Sequence, residues 1–210
     1  MSNAAYLLLA FSSLFVIIDS VGTIPAFLAM TPNNSPEERA RMARFACTVA
    51  TGILLFFAIT GMAIFKVFGI TLPAFQIAGS LLLLLIAFDM LRARRSTTKE
   101  TAEEKEEGLT KEDVAITPLA IPMLAGPGAI TTTILLRNRA DGFVQVVGLL
   151  LCIVAVCFAS YIILRLAAKG SRWISPTAMK ITIRLMGLLL SAVAVQFILN
   201  ALKDLHILGA

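Results

Sequence analysis

Asp19 is the one acidic residue placed deep in an apolar stretch of this chain, within the run Asp19-Ser20-Val21-Gly22-Thr23-Ile24-Pro25. A carboxylate at the centre of a membrane helix costs about 2.5 to 3.5 kcal/mol on insertion scales, and a cost of that size marks function. It can bind a substrate ammonium, bind a coupling cation, carry a proton, or cap a break in its own helix by accepting N–H bonds from the next turn. A second apolar stretch is interrupted by Pro122-Met123-Leu124-Ala125-Gly126-Pro127-Gly128. In the first break Thr23 is expected to cap a new half-helix with Ile24 and Pro25 in its first turn, and in the second Gly126 and Pro127 are expected to do the same. Each half-helix start offers unpaired N–H groups and a partial positive charge, a place for a carboxylate. Thr131, Thr132 and Thr133 follow the second break. The first two are pathway candidates, the alternative being a bond back to the i−4 carbonyl. The candidate substrate-binding set is therefore Asp19, Ser20, Gly22, Thr23, Pro25, Gly126, Pro127, Gly128, Thr131 and Thr132. Small residues and an expected absence of bulky aromatic walls suit a small zwitterion rather than a large hydrophobic compound.

Other chemistry is thinly represented. Cys47, Cys152 and Cys157 lie in apolar stretches without CxxC or metal-ligand spacing and read as small buried hydrophobes. His206 is the single histidine and sits in the C-terminal tail. No nucleophile with a base and no metal set is visible, so an enzyme is not expected, and neither is a cofactor. Gln76, Arg184 and Gln196 are further polar candidates, with Arg184 able to snorkel to the surface, and Asp89 beside Arg92 reads as interfacial.

The elements that must position these residues are membrane helices. Of 210 residues, 58% are hydrophobic and 15% charged, and the mean hydropathy is +0.88. These values exclude a secreted disulfide scaffold, a disordered chain and a soluble nucleic-acid binder. Six segments reach the roughly 20 apolar residues that a bilayer core requires. They run about Tyr6 to Met30, Phe45 to Phe65, Ile70 to Leu91, Val114 to Leu136, Phe143 to Ala167 and Ile181 to Leu202. The first is expected to be retained rather than cleaved as a signal peptide, because no Lys or Arg precedes it and Asp19 interrupts its core. Lys and Arg divide 14 to 4 between the two sides, the four being Lys66, Arg137, Arg139 and Lys203. The positive-inside rule then puts both termini outside and the charge-rich loops in the cytoplasm, with Trp173 at the cytoplasmic interface. The segment from Arg92 to Asp113 holds 13 charged residues and reads as a solvated linker between two halves.

Those halves look alike. Gly22 and Gly128 are 106 residues apart, and the Gly79 of Gln76-Ile77-Ala78-Gly79 and the Gly187 of Arg184-Leu185-Met186-Gly187 are 108 apart. Three spans per half is an odd number, so the second copy must enter the membrane inverted. The expected fold is an all-α polytopic membrane protein. It is a single transmembrane domain over 1–210, a 3+3 inverted repeat of about 6–91 and 114–202 around the linker 92–113, with broken first and fourth helices. Matched breaks in corresponding spans are the best sequence pointer to a transporter's midplane site.

At these residues the chain resembles the MarC family of bacterial inner-membrane proteins, grouped with neutral amino acid transporters. The resemblance runs from about Tyr6 to Asn200. It rests on Phe15 to Leu28 with Asp19, Gly22 and Pro25, on Gln76 to Gly79, on Pro118 to Ile130, and on Gly187 to Asn200. The chain departs from the family at Ser20, where proline is common. The resemblance implies six spans, a plasma-membrane location with membrane lipid as surroundings and, for some members, uptake of glycine or alanine driven by a proton or sodium gradient. A regulatory or efflux subunit without amino acid uptake is the competing class.

Overall fold

The computed structural model describes residues 2–31, 34–92, 119–170 and 176–205. The linker 93–113 with the residues up to 118, and Trp173 and His206, lie outside the described residues. Every described element is helical. In chain order they are α1 (Asn3–Ile18), α2 (Ser20–Met30), α3 (Pro36–Thr60), α4 (Ala63–Phe68), α5 (Leu72–Leu91), a π-type segment (Leu119–Leu124), α6 (Pro127–Arg139), α7 (Phe143–Gly170) and α8 (Pro176–Asp204).

Among the described residues five stretches are long and apolar enough to cross a membrane: Asn3–Leu28, Pro36–Thr60, Leu72–Leu91, Phe143–Lys169 and Arg184–Asp204. The fourth expected span is not among them. Its described part is divided into the six-residue π-type segment and the 13-residue α6, each shorter than a bilayer core needs. The second span differs at its start, because α3 begins well before the apolar window. Ser35 and Glu38 form a reciprocal capping box with Pro36 in the first turn, so the charged stretch at residues 37–44 is helical as well. The helix ends at Gly61, whose φ of 54° suits a residue without a Cβ.

Helix directions follow from contacts made at both ends. The Tyr6 hydroxyl donates to the Leu136 carbonyl at 2.9 Å, while Ile17 lies against Gly128, so α1 and α6 run antiparallel. Gln145 Nε2 donates to Asn3 Oδ1 at 3.1 Å, Gly148 adjoins Leu7, and Ser20 bonds Ser160, so α7 runs parallel to α1 and α2. Gly187 packs on Ala87 and Met90, whereas Gly79 and Phe197 meet at Pro127 and Gly128, so α5 and α8 are antiparallel.

At the core α3 packs on α7. Their buried residues include Ala43, Ala46, Ala50 and Ala58 on one side and Ile153, Val156, Leu164 and Ala168 on the other. Small residues let membrane helices approach closely where no hydrophobic force separates helix from lipid. Cys47 and Cys157 are buried in this core, Cys152 is half-buried, and all three are free thiols. Around it α5 pairs with α8, α1 and α2 with α7, α2 with α8, and α6 with α1, α3 and α5. One spacing recurs. Asp19 and Gly126, the residues preceding α2 and α6, are 107 apart, and so are Pro36 and Phe143, which open α3 and α7.

Candidate functional site

The first break falls at Asp19. This residue takes the left-handed conformation (φ 44°, ψ 57°), ending α1 and opening α2. Acidic and amide residues tolerate that conformation because the short polar side chain bonds locally. Asp19 Oδ1 accepts from Gly22 N at 3.1 Å. The Asp19 carbonyl accepts from Thr23 N at 3.0 Å and from the Thr23 hydroxyl at 3.0 Å. The expected cap at Thr23 is therefore corrected: Asp19 is the cap, Thr23 is a buried residue bonding backward, and Pro25 lies inside α2 instead of in its first turn. The physical reason is that the left-handed turn already sets a carboxylate over the new helix start, four residues before the hydroxyl could act. Gly22 makes this possible. A Cβ there would stand 2.1 Å from Asp19 Oδ2.

Ser20 does not leave its hydroxyl free. It is buried and hydrogen-bonded to the Ser160 hydroxyl of α7. Ser160 spends its own proton on the Val156 carbonyl at 2.9 Å, so Ser20 is the donor of the pair. The departure at Ser20 thus ties the break to α7.

The second break runs through the π-type segment. Ile121 has extended backbone (φ −132°, ψ 124°), and the Ile121–Pro122 peptide is cis. Gly126 is the cap residue of α6 and Pro127 its first residue, as the Gly-Pro pair leads one to expect. A Cβ on Gly126 would fall 2.3 Å from the Pro122 carbonyl oxygen, so only glycine fits. Unlike α2, α6 has no side-chain cap. Pro127 has no N–H and Ile130 N donates to the Gly126 carbonyl at 3.0 Å, which leaves Gly128 and Ala129, both buried.

The two breaks come together. A Cβ on Gly128 would stand 3.2 Å from Ile17 Cγ1, two residues before Asp19, and 2.5 Å from Phe197 Cζ. The expectation of no bulky aromatic neighbour is thereby corrected, because α8 brings the ring from far along the chain. On the other side Gly79 of α5 packs on Pro127, where a Cβ would meet the ring at 2.7 Å. Gln76, one turn earlier on α5, is buried. Arg184 and Gln196 are exposed, as is Asp89.

Thr131 and Thr133 are buried with hydroxyls that have no hydrogen-bond partner among the described residues, and neither bonds back to its i−4 carbonyl. Thr132 is half-buried. Asp19 itself remains exposed.

The far ends of both half-helices are held. Arg39, buried on α3, donates from Nε at 2.9 Å and from its terminal nitrogen at 2.7 Å to the Thr31 carbonyl that closes α2. Tyr6 does the same for the last turn of α6 through Leu136. Sequence reasoning used Arg39 only as a topological charge and passed over Tyr6, Ser160 and Phe197. No local pattern in the sequence marks the meetings of Tyr6 with Leu136, of Ser20 with Ser160 and of Gly128 with Phe197. Among the described residues no group of three or more His, Cys, Asp or Glu side chains could hold a metal.

Comparison with known proteins finds integral membrane proteins. The family model described as MarC family integral membrane protein matches residues 4–206. A "UPF0056 membrane protein" of Aquifex aeolicus is 36% identical over 196 residues, 93% of this chain and 92% of that protein. "UPF0056 membrane protein YvbG" of Bacillus subtilis is 33% identical, covering 96% of each chain. "UPF0056 membrane protein YhcE" of Escherichia coli is 31% identical over 93% of this chain and 91% of its own. No solved structure matches. Matched nearly from end to end, and with apolar helices long enough to cross a bilayer, the chain belongs to the MarC family of integral membrane proteins.

Proposed function

We propose that this protein is a secondary transporter moving small neutral amino acids, of the glycine and alanine type, across the bacterial inner membrane with a proton or sodium gradient. The observation that carries the reading is the packing of one interrupted helix on the other, with Gly128 at the start of α6 lying against Ile17 beside the Asp19 break. Helix starts that converge inside the membrane, with a carboxylate between them, are the parts from which transporters build midplane sites. Asp19 is exposed within the Asn3–Leu28 span. Lipid contact there would cost kilocalories, so a water-lined recess is the environment that fits it.

The packing also supports an inverted repeat. Exchange α1 with the π-type segment, α2 with α6, α3 with α7 and α5 with α8. The pairing of α1 with α7 then becomes that of the π-type segment with α3, α2 with α7 becomes α6 with α3, α2 with α8 becomes α6 with α5, and α1 with α6 becomes the π-type segment with α2, all of which exist. The pairs α3 with α7 and α5 with α8 map onto themselves. The packing of α5 on the π-type segment and of α6 on α7 lacks a counterpart of similar extent. Such a repeat lets one half rock against the other about a fixed site. Both termini then face outside and the charged linker faces the cytoplasm, in keeping with the Lys and Arg division.

Flux into proteoliposomes tests the reading. Purified protein should accumulate labelled glycine or alanine when an inward proton or sodium gradient is imposed, and dissipating the gradient should stop it. No gradient-dependent uptake across a panel of neutral amino acids would refute it.

A further inference from the structure

We propose that the start of α6 is the subsite for the substrate's carboxylate, and that the start of α2 is not, because Asp19 already fills it. The assignment rests on the transporter reading above and adds to it the place of each charge. In sequence the two half-helices look equivalent, each a candidate for an anion. Their four ends are treated differently in the structure. The end of α2 is held by Arg39 and the end of α6 by Tyr6. The start of α2 receives a carboxylate from Asp19. Only the start of α6 is left without a side-chain cap. Gly128 and Ala129, which carry its first N–H groups, are buried residues, and a buried helix end without partners calls for a ligand or water to complete it.

A second observation points the same way. Thr131 is 8% exposed and its hydroxyl has no partner among the described residues. Helical side chains lean toward the N-terminus, so Thr131 stands over the first turn of α6, on the face between Pro127 and Gly128. Pro127 packs on α5 through Gly79, and Gly128 packs on Phe197 of α8, so this face opens onto the junction of α5, α6 and α8. Gln76, one turn from Gly79 and 7% exposed, reaches the same junction from α5. Two backbone N–H groups, a hydroxyl and a carboxamide N–H at a positive helix end make a donor set that matches a carboxylate. Asp19, on the neighbouring break, is left to receive the ammonium with the oxygen that does not cap. Thr133 is likewise orphaned but points to the opposite side of α6, away from this junction.

The test uses the purified full chain in detergent and reads thermal unfolding against glycine, acetate and ethylamine, alongside glycine uptake in proteoliposomes. Glycine should stabilise the wild-type protein. Thr131→Val removes an unpaired hydroxyl at constant shape, so without ligand it should unfold at the same or a higher temperature, yet need roughly tenfold or more glycine for the same shift. Gln76→Leu should weaken the glycine response in the same direction, and Thr133→Val should keep the wild-type response. Unaltered glycine dependence in both Thr131→Val and Gln76→Leu overturns the subsite while leaving the transporter reading in place. A ligand-free Thr131→Val protein that unfolds well below wild type also overturns it, since the hydroxyl would then have a partner within the protein. A wild type that responds to acetate but binds and moves no zwitterion keeps the carboxylate subsite and removes the amino acid reading. No response to any probe removes both.

Discussion

Asp19 carries two attributes, a charge and a position, and the geometry at Gly22 allows them to be separated. Asp19→Asn keeps the position. Asparagine caps helices about as well as aspartate and tolerates the left-handed conformation, so stability should change by only a few tenths of a kcal/mol. Gly22→Ala keeps the charge and removes the position. The new Cβ falls 2.1 Å from Asp19 Oδ2 and 2.8 Å from Cγ, so the carboxylate must swing off the Gly22 N–H. Losing that cap costs about 1 kcal/mol, and replacing glycine by alanine within a helix returns about 1 kcal/mol. The terms nearly cancel, so neither variant should unfold the protein. Gradient-driven glycine flux in proteoliposomes, with thermal unfolding measured on the same preparations, is the assay. Flux should vanish in Asp19→Asn. In Gly22→Ala, where a charged hydrogen bond is misplaced, the glycine concentration for half-maximal flux should rise ten- to a hundredfold, the equivalent of about 1.5 to 3 kcal/mol. Two stable variants with wild-type flux would sink the reasoning and leave Asp19 as a helix cap alone.

Three further outcomes are expected. Ser160→Ala strands the buried Ser20 hydroxyl and should lower stability by about 1 to 3 kcal/mol, while Ser160→Ala combined with Ser20→Ala should recover much of that loss; additive losses in unfolding experiments would argue against the pair. Gly79→Ala drives a methyl to 2.7 Å from the Pro127 ring and should destabilise the junction of α5 and α6, whereas Gly52→Ala, with nothing within 4 Å, should be neutral or stabilising in the same melts. On a background lacking Cys47, Cys152 and Cys157, a cysteine at position 104 should resist an impermeant reagent in intact cells and react after lysis; labelling in intact cells would reverse the orientation derived from the charges.

Much of this was legible in the sequence because the bilayer imposes one strong rule, that apolar length equals span. Asn3–Leu28, Leu72–Leu91 and Phe143–Lys169 follow from that rule, and the Gly126–Pro127 start of α6 follows from the fixed φ and missing N–H of proline. The cap at Thr23 was misplaced because propensity ranks side chains one position at a time, while the turn at Asp19 depends on backbone conformation and on the missing Cβ of Gly22, a relation between two residues. The early start of α3 was missed because hydropathy marks where lipid begins, whereas the Ser35 and Glu38 capping box marks where hydrogen bonding begins. Phe197 against Gly128 and Ser20 with Ser160 are long-range meetings, set by how helices far apart in the chain pack together, and no local pattern carries them. The difference between the two helix starts is hidden for the same reason, since both are written in similar residues and only the fold shows which one its own side chain has filled.

The anchoring of Thr31 by Arg39 and of Leu136 by Tyr6 turns the two half-helices into levers. Each is fastened at its outer end to a neighbouring span; at the inner tip α6 has no side-chain cap, and α2 has the single bond from Ser20 to Ser160. Their arms are 11 and 13 residues long, about 16 and 20 Å at 1.5 Å per residue. A swing of about 10° about either fastened end therefore carries the tip sideways by about 3 Å, the width of a water molecule, with no helical hydrogen bond broken. A molecule only two or three heavy atoms across can be let past by such a stroke, and one of indole size cannot. In the proposed transporter the lengths of the arms, more than the shape of any fixed pocket, set the size of what passes.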